Sequence, residues 1–237
     1  MSAPLTTLVF FLACAAAGAR APRILPLGDS ITQWHCDNTS QGGWRHYLFN
    51  AAHVAGFKFD TVGSQYDCGN HEGHSGWTVE DLLALAPTSF MEHSPDIVLI
   101  QAGTNDLYYT DARGANVSGT LARHAALLNA TFSQLPNATV LLSGVTWINA
   151  TRCLTYPAGP CPPNMQPNIL ALNAALPAMA AAYAARGFRV VVHDPNAAAA
   201  WVAADYYTWG IHFSESGYTK LGAAWWKQLQ PVLETLL

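Results

Sequence analysis

Five runs of apolar and β-branched residues recur along this chain, separated by amphipathic or Ala-rich stretches. The runs fall at 23–27, 58–62, 96–102, 139–145 and 189–193. The helical spacing falls at 44–55, 79–91, 120–135, 168–186 and finally 216–236. A chain that alternates in this way lays strands side by side in a parallel sheet and returns between them through helices on its two faces. The run Ile97-Val98-Leu99-Ile100 is continuously apolar, as burial on both faces of a sheet requires. No linker, internal repeat or second domain interrupts the alternation, and 237 residues suffice for one sizeable core. The Ala-rich segments 174–185 and 197–200 read as helix or packing segments.

In such sheets, ligands meet the chain beyond the carboxyl ends of the strands. Ser30, Gly63, Asn105, Thr146 and Asp194 all fall just after an expected strand. Ser30 stands in Gly28-Asp29-Ser30-Ile31-Thr32, where a glycine turn at a strand end exposes a hydroxyl. A serine needs a base within hydrogen-bond reach before it is a nucleophile. His212, in Gly210-Ile211-His212-Phe213, precedes the last helix and is the candidate base. Asn105, in Gly103-Thr104-Asn105-Asp106, could donate its amide to a developing oxyanion. Gly76 could bring a backbone N–H close to the same oxygen, with the Ser30 N–H as a third donor.

Together these positions resemble the SGNH hydrolase (GDSL-type esterase/lipase) superfamily. Its serine, glycine, asparagine and histidine blocks are matched in order by Ser30, Gly76, Asn105 and His212. The resemblance implies a flavodoxin-like, three-layer α/β/α sandwich around a five-stranded parallel sheet. It also implies ester hydrolysis through an acyl-serine, with no cofactor and no metal. A finer resemblance, to the acetylxylan esterases of carbohydrate esterase family 3, rests on three segments. These are Val62-Gly63-Ser64, the stretch from Asp67 through His71-Glu72-Gly73-His74-Ser75-Gly76-Trp77, and Asp194-Pro195-Asn196. Asp29, His74 and Trp77 are the candidate substrate contacts.

The chain departs from the superfamily pattern at one place. An Asp is expected three residues before the histidine, and Trp209 stands there. Three arrangements are open: the Trp209 carbonyl accepts the His212 Nδ1–H; Asp205 or Glu215 supplies a carboxylate; or turnover is impaired and the chain is a glycan-binding relative. His71 and His74 are three residues apart in a Gly-rich segment, which is not the i, i+4 spacing of a zinc helix. Trp34, Trp44, Trp77 and Trp147 follow site motifs or a strand end, where aromatics can stack on sugar rings, although core or rim packing is the commoner use.

A net charge of −4 with no basic run argues against nucleic-acid binding. The apolar run 5–17 ends in Ala17-Gly18-Ala19, so 1–19 reads as a secretory signal cleaved before Arg20, leaving 20–237 as the catalytic domain. The run is short for a membrane span. Cys36, Cys68, Cys153 and Cys161 remain after cleavage, an even set suited to disulfides. They allow three pairings, of which Cys36–Cys68 with Cys153–Cys161 is favoured because the latter closes a short Pro-rich loop. Sequons at Asn38, Asn116, Asn129, Asn137 and Asn149 fit a glycosylated product. The expectation is a secreted, monomeric esterase acting on an acylated carbohydrate or small ester.

Overall fold

The structure is a computed structural model that describes residues 20–34, 42–197 and 199–236. The segment 1–19, with Cys14, and the residues Cys36 and Asn38 lie outside the described residues. The strands are β1 (Arg23–Gly28), β2 (Asp60–Thr61), β3 (Gln65–Tyr66), β4 (Asn70–Gly73), β5 (Ile97–Gln101), β6 (Thr139–Ser143) and β7 (Arg189–His193). The helices are α1 (Ser30–Gln33), α2 (Trp44–Val54), α3 (Val79–His93), α4 (Thr104–Tyr108), α5 (Val117–Gln134), α6 (Ala150–Cys153), α7 (Met165–Ala184) and α8 (Glu215–Glu234).

Strand side chains alternate between the two faces of the sheet, and two core layers follow from that alternation. Ile24, Ile97, Leu99 and Leu141 face α2 and α8, where Trp44 stacks on Trp225 with ring centroids 4.9 Å apart. Their neighbours Leu25, Leu27, Val98, Ile100, Val140 and Leu142 face the other way, onto Leu82, Phe90, Leu128 and Leu176 of α3, α5 and α7. The three layers are therefore those expected. Helix α3 starts where its sequence signals: Thr78 caps it, and Asp81 Oδ2 accepts the Thr78 N–H at 2.8 Å.

The strand count differs from the expected five. The sheet has seven strands in the order β3-β4-β1-β5-β6-β7, with β2 also paired to β1. β5 runs along one edge of β1, so β2, beside Arg23 and Ile24, and β4, beside Leu27 and Gly28, share the other edge. β3 adds antiparallel to β4. β2 falls inside the expected strand 58–62; the two additional strands, Gln65-Tyr66 and Asn70-His71-Glu72-Gly73, are short and carry no apolar pattern for a sequence reading to find. Of the Ala-rich segment 197–200, the described residues are not helical: Ala197 and Ala199 lie in turns and Ala200 has φ 41°, while Ala199 is buried as a packing residue.

Cys153 and Cys161 form a disulfide across the loop after α6. The sequon residues Asn116, Asn129 and Asn137 are exposed, and Asn149 is half-buried, capping α6 through its bond from Arg152 N. No described helix is long and apolar enough to cross a membrane.

Candidate active site

β1 can end where it does only because residue 28 is glycine. A Cβ there would lie 2.2 Å from Gln101 O and 2.3 Å from Thr32 Oγ1, so any other residue would push β1 off β5 or α1 off β1. Asp29 then caps α1, its Oδ1 accepting from Ile31 N at 2.9 Å. Ser30 is the first residue of that helix, which sets its hydroxyl beyond the carboxyl edge of the sheet and leaves its own N–H unused by the helix.

His212 arrives from the far end of the chain. Residues 206 and 213 bridge antiparallel, and Tyr207 N donates to His212 O at 3.0 Å. Arg152 Nη1 donates to Tyr206 O at 2.6 Å, and Asn149 N to Gly210 O at 2.8 Å, so this hairpin is stitched to the disulfide loop. The result is a contact between His212 Nε2 and Ser30 Oγ of 2.7 Å across 182 residues of chain. His212 is 8% exposed, and burial pushes its imidazole down to about 4, so the ring is neutral at neutral pH.

The group on the other ring nitrogen is neither a carbonyl nor a carboxylate. Trp209 Nε1 donates to His212 Nδ1 at 3.0 Å. The first of the three open arrangements, a contact from the Trp209 carbonyl, is thus replaced by one from the indole of the same residue. Asp205 is turned away: it accepts from Lys220 Nζ at 2.7 Å, from Val202 N at 2.8 Å and from the Ser216 hydroxyl. Burial raises its carboxyl, but these bonds outweigh that and hold it below its usual range. Glu215 is exposed on the first turn of α8.

Ser30 and His212 line a cavity of about 390 Å³ with Gln33, Trp34, Ser75, Tyr156, Pro157, Ala158 and Trp209. Of the expected substrate contacts, none is in that lining. Asp29 is fully buried, with Oδ1 on the helix and Oδ2 lacking a well-formed partner although the Thr104 hydroxyl is close. Burial raises its carboxyl to about 7. Trp77 stacks on His74 with ring centroids 4.0 Å apart, and both are half-buried. Trp34 does reach the pocket, with its ring 5.2 Å from that of His212. Trp44 is core, and Trp147 is exposed away from the pocket lining.

The glycine and asparagine blocks form one bonded unit. Gly76 has φ +79°, a conformation that favours glycine, and its carbonyl accepts from Tyr109 Oη at 2.9 Å. Asn105 Nδ2 donates to Trp77 O at 2.8 Å, which uses one of its two amide hydrogens. This unit is tied to the serine helix by Ser75 N to Gln33 Oε1 at 2.7 Å, and to β1 by His74 N to Gly28 O at 2.9 Å.

Two supporting residues escaped the sequence reading. Glu72 is buried and accepts from Ser64 N (2.9 Å), Ser64 Oγ (2.8 Å) and Ser89 Oγ (3.0 Å), and its Oε2 is 2.9 Å from His74 Nε2. Burial raises its carboxyl, but the bonds win and bring it to about 2. Arg45 of α2, also buried, donates to the carbonyls of Thr32 (2.7 Å), Gln33 (3.1 Å) and Asp67 (2.6 Å), and so fixes the end of α1. The only sequence signal for either is a charge inside an otherwise apolar or Gly-rich segment. His71 accepts from Gly73 N at its Nδ1 at 2.9 Å.

A serine and a histidine in contact beyond the carboxyl edge of a parallel sheet are the parts of a serine hydrolase. The chain belongs to the GDSL-like lipase/acylhydrolase family, whose sequence pattern matches residues 27–220. It is similar to a multidomain esterase of Ruminococcus flavefaciens, 27% identical over 90% of this chain, and spans 29% of that relative's length. Among solved structures it resembles a family 3 carbohydrate esterase of Clostridium thermocellum. That match is 26% identical with a TM-score of 0.70, covering 92% of this chain and 99% of the other. A family 3 carbohydrate esterase of Talaromyces cellulolyticus shares the fold at 22% identity and a TM-score of 0.74, over 90% and 99% of the two chains.

Proposed function

We propose that this protein is a secreted, monomeric serine esterase that removes short acyl groups, O-acetyl groups above all, from a polysaccharide such as xylan. The observation that carries the reading is the 2.7 Å contact between Ser30 Oγ and His212 Nε2 on the wall of the pocket. Ser30 Oγ forms a bond to the acyl carbon while its proton passes to His212 Nε2. The carbonyl oxygen becomes an oxyanion that the Ser30 and Gly76 N–H groups and the free Asn105 amide hydrogen stabilise. When the intermediate collapses, the bond from acyl carbon to sugar oxygen breaks and His212 returns the proton to that oxygen. Water then repeats the sequence on the acyl-serine, and acetate leaves.

Three features support the substrate class. The pocket is small, about 390 Å³, and mixes the aromatic walls Trp34, Tyr156 and Trp209 with polar Gln33 and Ser75, which suits a sugar ring bearing a short ester. Family 3 carbohydrate esterases share the fold across nearly the whole chain. The Cys153–Cys161 disulfide supports an oxidising, extracellular setting. A second reading, a glycan-binding relative with little turnover, is favoured because His212 Nδ1 meets the Trp209 indole and no carboxylate among the described residues.

The test is acetate release from acetylated xylan by the parent and by Ser30→Ala. The variant is expected to lose on the order of 10⁴-fold or more in rate. Equal release by the two proteins overturns the esterase reading. A series of aryl esters checks the acyl group: preference for long chains over acetate replaces the acetyl-esterase reading with that of a general lipase.

A further inference from the structure

The indole nitrogen of Trp209 has one hydrogen and no in-plane lone pair, so it is a donor only. At 3.0 Å from His212 Nδ1 it requires that nitrogen to be bare. An imidazolium, or the tautomer protonated at Nδ1, would set two N–H groups against each other. The remaining ring proton therefore sits on Nε2 and points at Ser30 Oγ, 2.7 Å away. A general base needs the opposite arrangement, with an Nε2 lone pair facing the serine proton. On this geometry, and resting on the esterase reading above, we propose that Trp209 is a positioning residue that holds His212 in its non-basic tautomer and so keeps the Ser30–His212 pair slower than its spacing allows.

The surroundings agree. Burial already pushes the His212 pKa to about 4, so the neutral ring is the form whose tautomer has to be chosen. The nearby carboxylate of Asp205 is engaged by Lys220, Ser216 and Val202, so it does not compete for Nδ1. Turnover then requires the indole to leave Nδ1 so that the ring can carry its proton there. Trp209 has somewhere to go: it is half-buried on the pocket wall, stacked on the exposed ring of Tyr207 at 5.5 Å and outside the three core clusters. For the same reason its replacement leaves the core intact.

Two measurements on the full chain test the assignment. In ¹⁵N-histidine spectra at neutral pH, with His212 identified by the signal lost in His212→Gln, the parent is expected to show a pyridine-type Nδ1 and a pyrrole-type Nε2. The reverse pattern overturns the proposal whatever the activity. In p-nitrophenyl acetate hydrolysis, Trp209→Phe keeps an aromatic ring and removes the N–H. Its kcat is expected to rise about fivefold, the equivalent of one hydrogen bond, with KM little changed. Trp209→Asp adds an acceptor for Nδ1–H, and its kcat is expected to rise on the order of 10²- to 10⁴-fold. If both variants keep the parent's thermal midpoint and neither exceeds its kcat, the proposal fails. The esterase reading fails separately, if Ser30→Ala hydrolyses the probe as fast as the parent.

Discussion

On the glycine side of the pocket, the buried carboxylate of Glu72 gathers Ser64, Ser89 and His74. On the histidine side, the buried carboxylate of Asp205 gathers Lys220, Ser216 and Val202, and leaves His212 to an indole. Both anions are held by bonds that overcome their burial. Only the first feeds into the site, because His74 passes its position to Trp77 by stacking, and the Trp77 carbonyl holds Asn105. The contrast locates where this chain's catalytic capacity is fixed. The proposed oxyanion side is assembled around a charge, whereas the proposed base side has none among the described residues with which to stabilise an imidazolium.

If the comparison holds, damage to the oxyanion side shows first in kcat. Asn105→Ala removes the side-chain donor and the bond to Trp77 O, and its kcat is expected to fall on the order of 10²- to 10³-fold with a smaller change in KM. Steady-state kinetics on p-nitrophenyl acetate check this, and an unchanged kcat would remove Asn105 from the oxyanion site. Glu72→Gln tests the hub beneath it. The Glu72 carboxyl lies at about 2 in the folded chain against an ordinary 4.5, so its ionised form stabilises the fold above pH 4.5, and that stabilisation fades as pH falls through about 2. The shift corresponds to about 3 kcal/mol at neutral pH. Urea unfolding should show Glu72→Gln less stable by about that amount at pH 7, with the gap to the parent closing between pH 4.5 and 2. A gap that stays constant over that window would assign the loss to packing and not to the charge.

The same contrast sets what a reader of the sequence could find. The longer strands were legible because Ile97-Val98-Leu99-Ile100 and its counterparts carry an unbroken apolar signal. Ser30 and His212 were legible as candidates because a glycine turn at a strand end and a glycine-bearing segment before a terminal helix are local features. Whatever depends on approach across the fold was not legible. Nothing local to Glu72 announces Ser89, 17 residues away, and nothing in Arg45 announces the carbonyls of Thr32 and Asp67. Asp29 was a candidate substrate contact beside Ser30, yet the turn that exposes the serine buries its neighbour as a cap. At Trp209 the sequence showed that a carboxylate was missing. Which atom of the tryptophan would meet His212 depended on a side-chain rotamer, and the backbone carbonyl and the indole have opposite hydrogen-bonding character.

Two adjacent tyrosines offer the finest test of the two-sided reading. Tyr109 Oη donates to Gly76 O at 2.9 Å on the oxyanion side, and Tyr108 Oη donates to Gly159 O at 2.8 Å on the disulfide loop. The chemistry of the two bonds is the same, and each Tyr→Phe change removes one neutral hydrogen bond, about 1 kcal/mol or roughly fivefold. What differs is the group each carbonyl belongs to. Gly76 carries a proposed oxyanion donor in a left-handed turn, so loosening it should appear in kcat with KM unchanged. Gly159 follows Pro157 and Ala158, which line the pocket and touch no reacting atom in the proposed mechanism, so loosening it should appear in KM with kcat unchanged. Equal effects of Tyr109→Phe and Tyr108→Phe on both constants would mean that the two walls move as one body. A kcat effect from Tyr109→Phe alone would place the rate-determining geometry on the glycine side, with the disulfide loop serving to hold substrate.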